Sequence, residues 1–202
     1  MERIESQSRN NKLNTLEEIS KQAKLQAFIQ ELSEGCQAIS PERLKDILLE
    51  HALEIEDLKE FVKFNDDVYA RNSIVKLPHI EVLVMCWRKG QLSPIHDHSG
   101  SACAVKVIQG VATEITYTKI PSGVVIPHHT DNYEAPEITS SFDEDIHQLG
   151  NIQKEGPDLV TLHCYSPPLH NMTLFPIKET IFCNYNYVFD AVSKRATLAT
   201  KK

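Results

Sequence analysis

The stretch "CWRKGQLSPIHDHSGSACAVKVIQG" (Cys86–Gly110) decides how the rest of the chain is read. His96 and His98 stand two residues apart after an approach punctuated by Gly90 and Pro94, and Cys103 follows on the next apolar run. On an extended strand, residues i and i+2 share a face and lie about 6–7 Å apart at Cα. That spacing lets both imidazoles reach a common ion at about 2.0–2.2 Å. The pair is therefore either a surface "HxH" without a role or half of a metal site, and its surroundings must decide.

Outward from this stretch the period of the chain changes. Downstream of "NDD" (residues 65–67) come short β-rich runs: "HIEVLVMCW" (79–87), "ACAVKVI" (102–108), "TEITYTKI" (113–120), "LVTLHCYS" (159–166) and "ETIFCNYNYVF" (179–189). Gly, Pro, Asn and Asp punctuate the intervals, a cadence that predicts an antiparallel sandwich or barrel. Upstream the signals are helical. Thr15 and Glu18 form a capping box, in which hydroxyl and carboxylate satisfy free backbone N–H groups reciprocally. Leu16, Ile19, Ala23, Phe28, Ile29 and Leu32 follow at roughly helical spacing until Gly35. Ser40-Pro41 opens a second helix with a side-chain N-cap and Pro at N1, its buried stripe being Leu44, Ile47 and Leu48. A third, short helix is expected around residues 56–64, packing Leu58, Phe61 and Val62. The expected organisation is a tail over 1–12, one domain over 13–195 (helical over 13–64, β-barrel over 65–195) and a tail over 196–202.

Composition excludes several classes. A formal net charge of -7, with Lys and Arg scattered, argues against nucleic acid, since phosphate neutralisation needs a basic face. No apolar run approaches the length that spans a bilayer, and the polar opening "MERIESQSRNNK" has no apolar core of a secretory signal. The five cysteines are odd in number and form no CxxC, which reads as reduced thiols and predicts a cytoplasmic location. Helices covering one side of the barrel predict a monomer. Apart from Cys103, the cysteines are expected to be buried or semi-buried thiols. His128 and His129 are expected in an exposed polar connection, and His170 near a pocket mouth.

The spacing Gly90-x5-His96-x-His98-x4-Cys103-x6-Gly110 resembles the first cupin motif, with cysteine where most cupins carry a glutamate ligand. His147-x3-Asn151 is similar to the core of the second motif, although "FDED" replaces the customary Pro-x-Gly before it. Cysteine in place of glutamate resembles the cysteine dioxygenase family, the thiol dioxygenase branch of the cupins. "YARN" (69–72), "IHDHSGSAC" (95–103) and "LHCYSPP" (162–168) match that family in order, and the resemblance runs from about Tyr69 to Tyr187.

What the resemblance implies is specific. The fold is mainly β, a cupin-type small barrel (double-stranded β-helix or jelly roll) with an N-terminal helical cap. His96, His98 and His147 are the ligands of Fe(II), and the partners are L-cysteine and O2, both oxygen atoms ending on sulfur as cysteine sulfinate. Three neutral imidazoles leave a ferrous ion its full charge, so a substrate arriving as thiolate supplies the anion that glutamate gives elsewhere. Arg71 and Tyr69 bind substrate, since a guanidinium grips a carboxylate with two parallel hydrogen bonds. The other reading of Arg71 is a surface partner for the acidic "NDD". Thr161, His163 and Tyr165 alternate and share one face of a strand, as a relay that holds the phenol over the substrate or as satisfied polar groups of a buried strand. Threonine stands here where the family carries serine. Cys103 and Tyr165 are the pair that a thioether joins in the family, the alternative being a small buried thiol. Two further functions stay open: a dioxygenase for another small thiol, 3-mercaptopropionate or cysteamine, and a non-catalytic metal-binding cupin that acts as a sensor.

Overall fold

The computed structural model describes residues 23–142 and 145–176. The Thr15–Glu18 capping box, the run at 179–189, Cys183 and both tails lie outside the described residues. Helix α1 (23–33) buries Phe28 and Leu32 completely. Helix α2 (Pro41–His51) begins as its sequence dictates: Ser40 Oγ accepts from the Arg43 N–H at 3.3 Å, Pro41 sits at N1, and Leu44, Ile47 and Leu48 are buried. Such a cap contributes about 1 kcal/mol. The third helix is a 3-10 helix over Ile55–Phe61, closed at its start by reciprocal bonds between Glu54 and Asp57, with Leu58 inside.

Eight strands follow: β1 (Ala70–Leu77), β2 (Ile80–Trp87), β3 (Ala102–Gln109), β4 (Val111–Lys119), β5 (Val125–Glu134), β6 (Ile138–Phe142), β7 (Ile146–Gly150) and β8 (Leu159–Ser166). They form two antiparallel sheets, ordered β1-β2-β8-β3-β6 and β5-β4-β7. The architecture is the expected mainly β cupin-type fold with helices on one side.

The central strands of the larger sheet are buried on both faces because both are covered. Val82, Val84, Cys86, Ala104, Leu162 and Cys164 face α1, α2 and the 3-10 helix. On the other face Leu83, Met85, Trp87, Cys103, Val105 and Tyr165 pack toward the second sheet, which contributes Ala112 and Leu149. Each large aliphatic side chain so buried is worth about 1.5–3 kcal/mol. Double coverage explains why β2 and β8 are buried along their whole length while β5, an edge strand among the described residues, is not.

Three local expectations are corrected. His128 and His129 are exposed as expected but lie within β5, not in a connection. Pro127 is tolerated there because β5 is an edge strand and its register with β4 shifts at this point, between Thr116 and Tyr117. Cys36 is exposed, since it follows the end of α1 where no second layer covers it among the described residues. His170 is exposed too, and Met172 faces the pocket instead.

Candidate active site

The two motif halves meet through backbone bonds. His96 N–H donates to His147 C=O at 3.0 Å, and His147 N–H donates to His96 C=O at 2.9 Å. The segment bearing His96 and His98 is thus an isolated bridge to β7 rather than a strand of its own. The same ladder runs on: Asn151 N–H donates to Gln91 C=O at 2.9 Å, and the buried Asn151 amide donates to Trp87 C=O at 3.3 Å. Gly150 is required here, because an added Cβ would press on the Gln91 carbonyl oxygen and lie 2.8 Å from Leu92 Cα.

His96, His98 and His147 converge, each at least 94 % buried, with ligand atoms within 4.8 Å of one another. The Nε2 atoms of His98 and His147 stand 3.1 Å apart. Two donors about 2.1 Å from a common ion and at right angles to each other are separated by about 3.0 Å, so this spacing suits adjacent ligands of one face. Burial, reinforced by the neighbouring His147, holds His96 down at a pKa of about 4 and His98 at about 3. At neutral pH both rings are therefore uncharged, with lone pairs available, and the donor set fits a divalent transition metal.

Beside the histidines lies a pocket whose described lining carries one formal charge, that of Arg71. Arg71 is exposed at the mouth, on β1 opposite Met85, with its guanidinium carbon 6.0 Å from the Tyr165 ring centroid. The "NDD" alternative goes to another residue: Arg88 pairs with Asp66 at 2.9 Å and Asp158 at 2.7 Å. Tyr69 stacks on Trp87 with centroids 4.4 Å apart, so both form one aromatic wall. Met85, Val105 and Leu149 supply the apolar remainder.

The alternation along β8 places Thr161, His163 and Tyr165 on the inner face and joins them. Thr161 Oγ1 lies 2.8 Å from His163 Nε2, and His163 Nδ1 lies 3.0 Å from Tyr165 Oη. Trp87 Nε1–H donates to Thr161 Oγ1 at 2.9 Å, a contact that its sequence context did not reveal. An indole can only donate, so one lone pair of Thr161 is committed and its proton is available to His163. Burial, helped by the Arg71 charge, drives His163 well below its usual pKa, which leaves the ring neutral. Burial and the adjacent Cys103 push the Tyr165 phenol well above its usual range. Cys103 on β3 and Tyr165 on β8 are direct cross-strand partners, both buried.

Sequence reasoning also passed over Glu114. Its carboxylate receives the Nδ1–H of His147 at 2.5 Å. The signal was present: an acid inside the strand "VATEITYTK", where neighbours of both faces are buried or half-buried.

The chain is similar to several known proteins. Cysteine dioxygenase type 1 of Danio rerio is 27% identical over 166 residues, covering 78% of this chain and 82% of that protein. The human protein of the same name is 29% identical over 119 residues, covering 57% of this chain and 59% of that protein. Among solved structures, a conserved protein with a double-stranded β-helix domain from Klebsiella pneumoniae subsp. pneumoniae MGH 78578 covers 58% of this chain and 88% of its own at 18% identity, with a TM-score of 0.49. The family described as cysteine dioxygenase type I matches residues 13–177, and the chain belongs to the cysteine dioxygenase family.

Proposed function

We propose that the protein is an iron-dependent thiol dioxygenase that adds both atoms of O2 to the sulfur of L-cysteine, giving cysteine sulfinate. The observation that carries this reading is the convergence of three buried imidazoles, two of them held neutral, beside a pocket whose described lining carries one charge, a guanidinium. His96, His98 and His147 would hold Fe(II), and imidazole donors suit that ion. Bound iron supplies the one-electron chemistry with dioxygen that side chains lack.

The chain's own residues do the rest. Arg71 receives the substrate carboxylate at the pocket mouth, and Tyr69 and Trp87 wall that side. The chain of donors from Trp87 through Thr161 orients His163 so that its Nδ1–H donates to the Tyr165 oxygen from behind. The phenol keeps its proton and directs it into the pocket, toward the substrate. Apolar walls from Met85, Val105 and Leu149 keep bulk water away from the thiolate.

The test is aerobic turnover by iron-loaded protein across L-cysteine, 3-mercaptopropionate and cysteamine. The proposal expects oxygen uptake and sulfinate with L-cysteine, and near-complete loss in His96→Ala. Preference for 3-mercaptopropionate, which also offers a carboxylate to Arg71, would transfer the same site to another thiol. Bound iron with no sulfinate from any thiol would make it a sensor.

A further inference from the structure

The three imidazoles are not backed alike. His96 Nδ1 meets the Pro94 carbonyl at 2.9 Å, a neutral acceptor. His98 Nδ1 is buried and has no hydrogen-bond partner among the described residues. His147 Nδ1 alone is backed by a carboxylate, Glu114, at 2.5 Å.

The pairing follows from register. Thr116 on β4 is opposite His147 on β7, and Glu114 is opposite Leu149. Residues two apart on a strand share a face, so Glu114 is the diagonal neighbour of His147 on the same side of the sheet. Its side chain is 12% exposed and that of His147 6%, so little solvent screens the charge between them. The Glu114 charge also adds to burial in raising the pKa of the nearby Tyr133 phenol.

From this asymmetry we infer that Glu114 is the positioning residue of the metal centre, returning one step behind His147 the negative charge that Cys103 withholds from the ligand set. The inference rests on the proposed metal-binding role of the three histidines. Accepting the Nδ1–H fixes the tautomer of His147, leaving the Nε2 lone pair facing His98 Nε2. A carboxylate acceptor also shifts electron density onto the ring, making His147 the strongest of the three donors. Glu114 touches neither substrate nor ion.

The test is metal affinity, with no turnover required. Full-length protein stripped of metal is titrated anaerobically with ferrous ion against a competing chelator, and with cobalt(II), whose visible bands report donor strength. Glu114→Ala is expected to weaken binding about 10–100-fold, the range for lost partners of ligating histidines. Glu114→Gln, which keeps an acceptor of the same size but no charge, is expected to bind more tightly than Ala yet weaker than wild type, with shifted cobalt bands at full occupancy. Should the Ala variant fail to fold, the Gln variant decides. Wild-type affinity and unchanged bands in Gln would overturn the inference. Wild-type protein that binds neither ion would instead overturn the metal-site reading beneath it.

Discussion

His96 and His147 exchange two backbone hydrogen bonds, 3.0 and 2.9 Å, although 51 positions of chain separate them (147 minus 96). Placing two candidate ligands this way ties the proposed centre to the sheet ladder rather than to side-chain packing alone. The ladder continues through Leu92 and Gly150. Gly150→Ala forces a methyl group onto the Gln91 backbone, which cannot give way as a flexible side chain would. We expect the variant to lose about 1–3 kcal/mol of stability by overpacking and to bind metal more weakly, read by urea unfolding and by iron content. A variant as stable and as iron-rich as wild type would show that the ladder does not position the site.

Arg71 faces the pocket with no competing acid among its described lining. A hydrogen bond to a charged partner contributes about 1.5–3 kcal/mol. Arg71→Gln should therefore raise KM for L-cysteine about tenfold or more, while oxidation of cysteamine, which has no carboxylate, changes little. Equal losses on both thiols would point to a structural role for the guanidinium.

Cys103 and Tyr165 are cross-strand partners on one face of the sheet, the pair that a proposed thioether would join. After aerobic turnover with iron and L-cysteine, we expect intact mass to fall by two hydrogens. Cys103→Ala and Tyr165→Phe should each abolish the change. An unchanged wild-type mass after many turnovers would leave Cys103 as a packed thiol.

Burial dominates the lowered pKa values of His96, about 4, and His98, about 3. In the unfolded chain both return to about 6.5. As pH falls below that value the unfolded state takes up protons that the folded state refuses, so stability is lost, at about 1.4 kcal/mol per pH unit per ring when the difference is complete. The stabilising contribution is full above about pH 6.5 and falls toward pH 4 and below. Metal-free protein should unfold at lower urea at pH 5.5 than at pH 7, and His98→Leu should flatten that dependence. A slope unaffected by the substitution would contradict the assignment.

Much of this site was legible because its parts are short and local. The alternation Thr161, His163, Tyr165 requires only that a strand keep period two, while the HxH spacing and Cys103 five residues on were read as a short motif. His147 was less legible, since "FDED" hides the turn that usually announces such a histidine, and only the pairing of β7 with β4 and with the His96 segment reveals its place. Strands β1, β5, β6 and β7 escaped for a related reason: they are mixed-polarity or short, and their membership is set by partners far along the chain. Glu114 and Trp87 act through contacts across strands, to His147 and Thr161, and no local spacing encodes those.

Trp87 yields its own expectation. Trp87→Phe keeps the aromatic wall but removes the indole N–H that donates to Thr161. We expect kcat to fall several-fold with KM for cysteine nearly unchanged, because the phenol proton loses its fixed direction while Arg71 still binds the carboxylate. A change confined to KM would make Trp87 a wall and nothing more.

The most direct test couples iron content, oxygen uptake and sulfinate formation in one anaerobically loaded sample. One iron per chain, with one sulfinate formed from L-cysteine for each O2 consumed, and loss of both iron and product in His147→Ala, is the predicted result. Sulfinate production undiminished in that variant, or none from iron-replete wild type, would contradict the account.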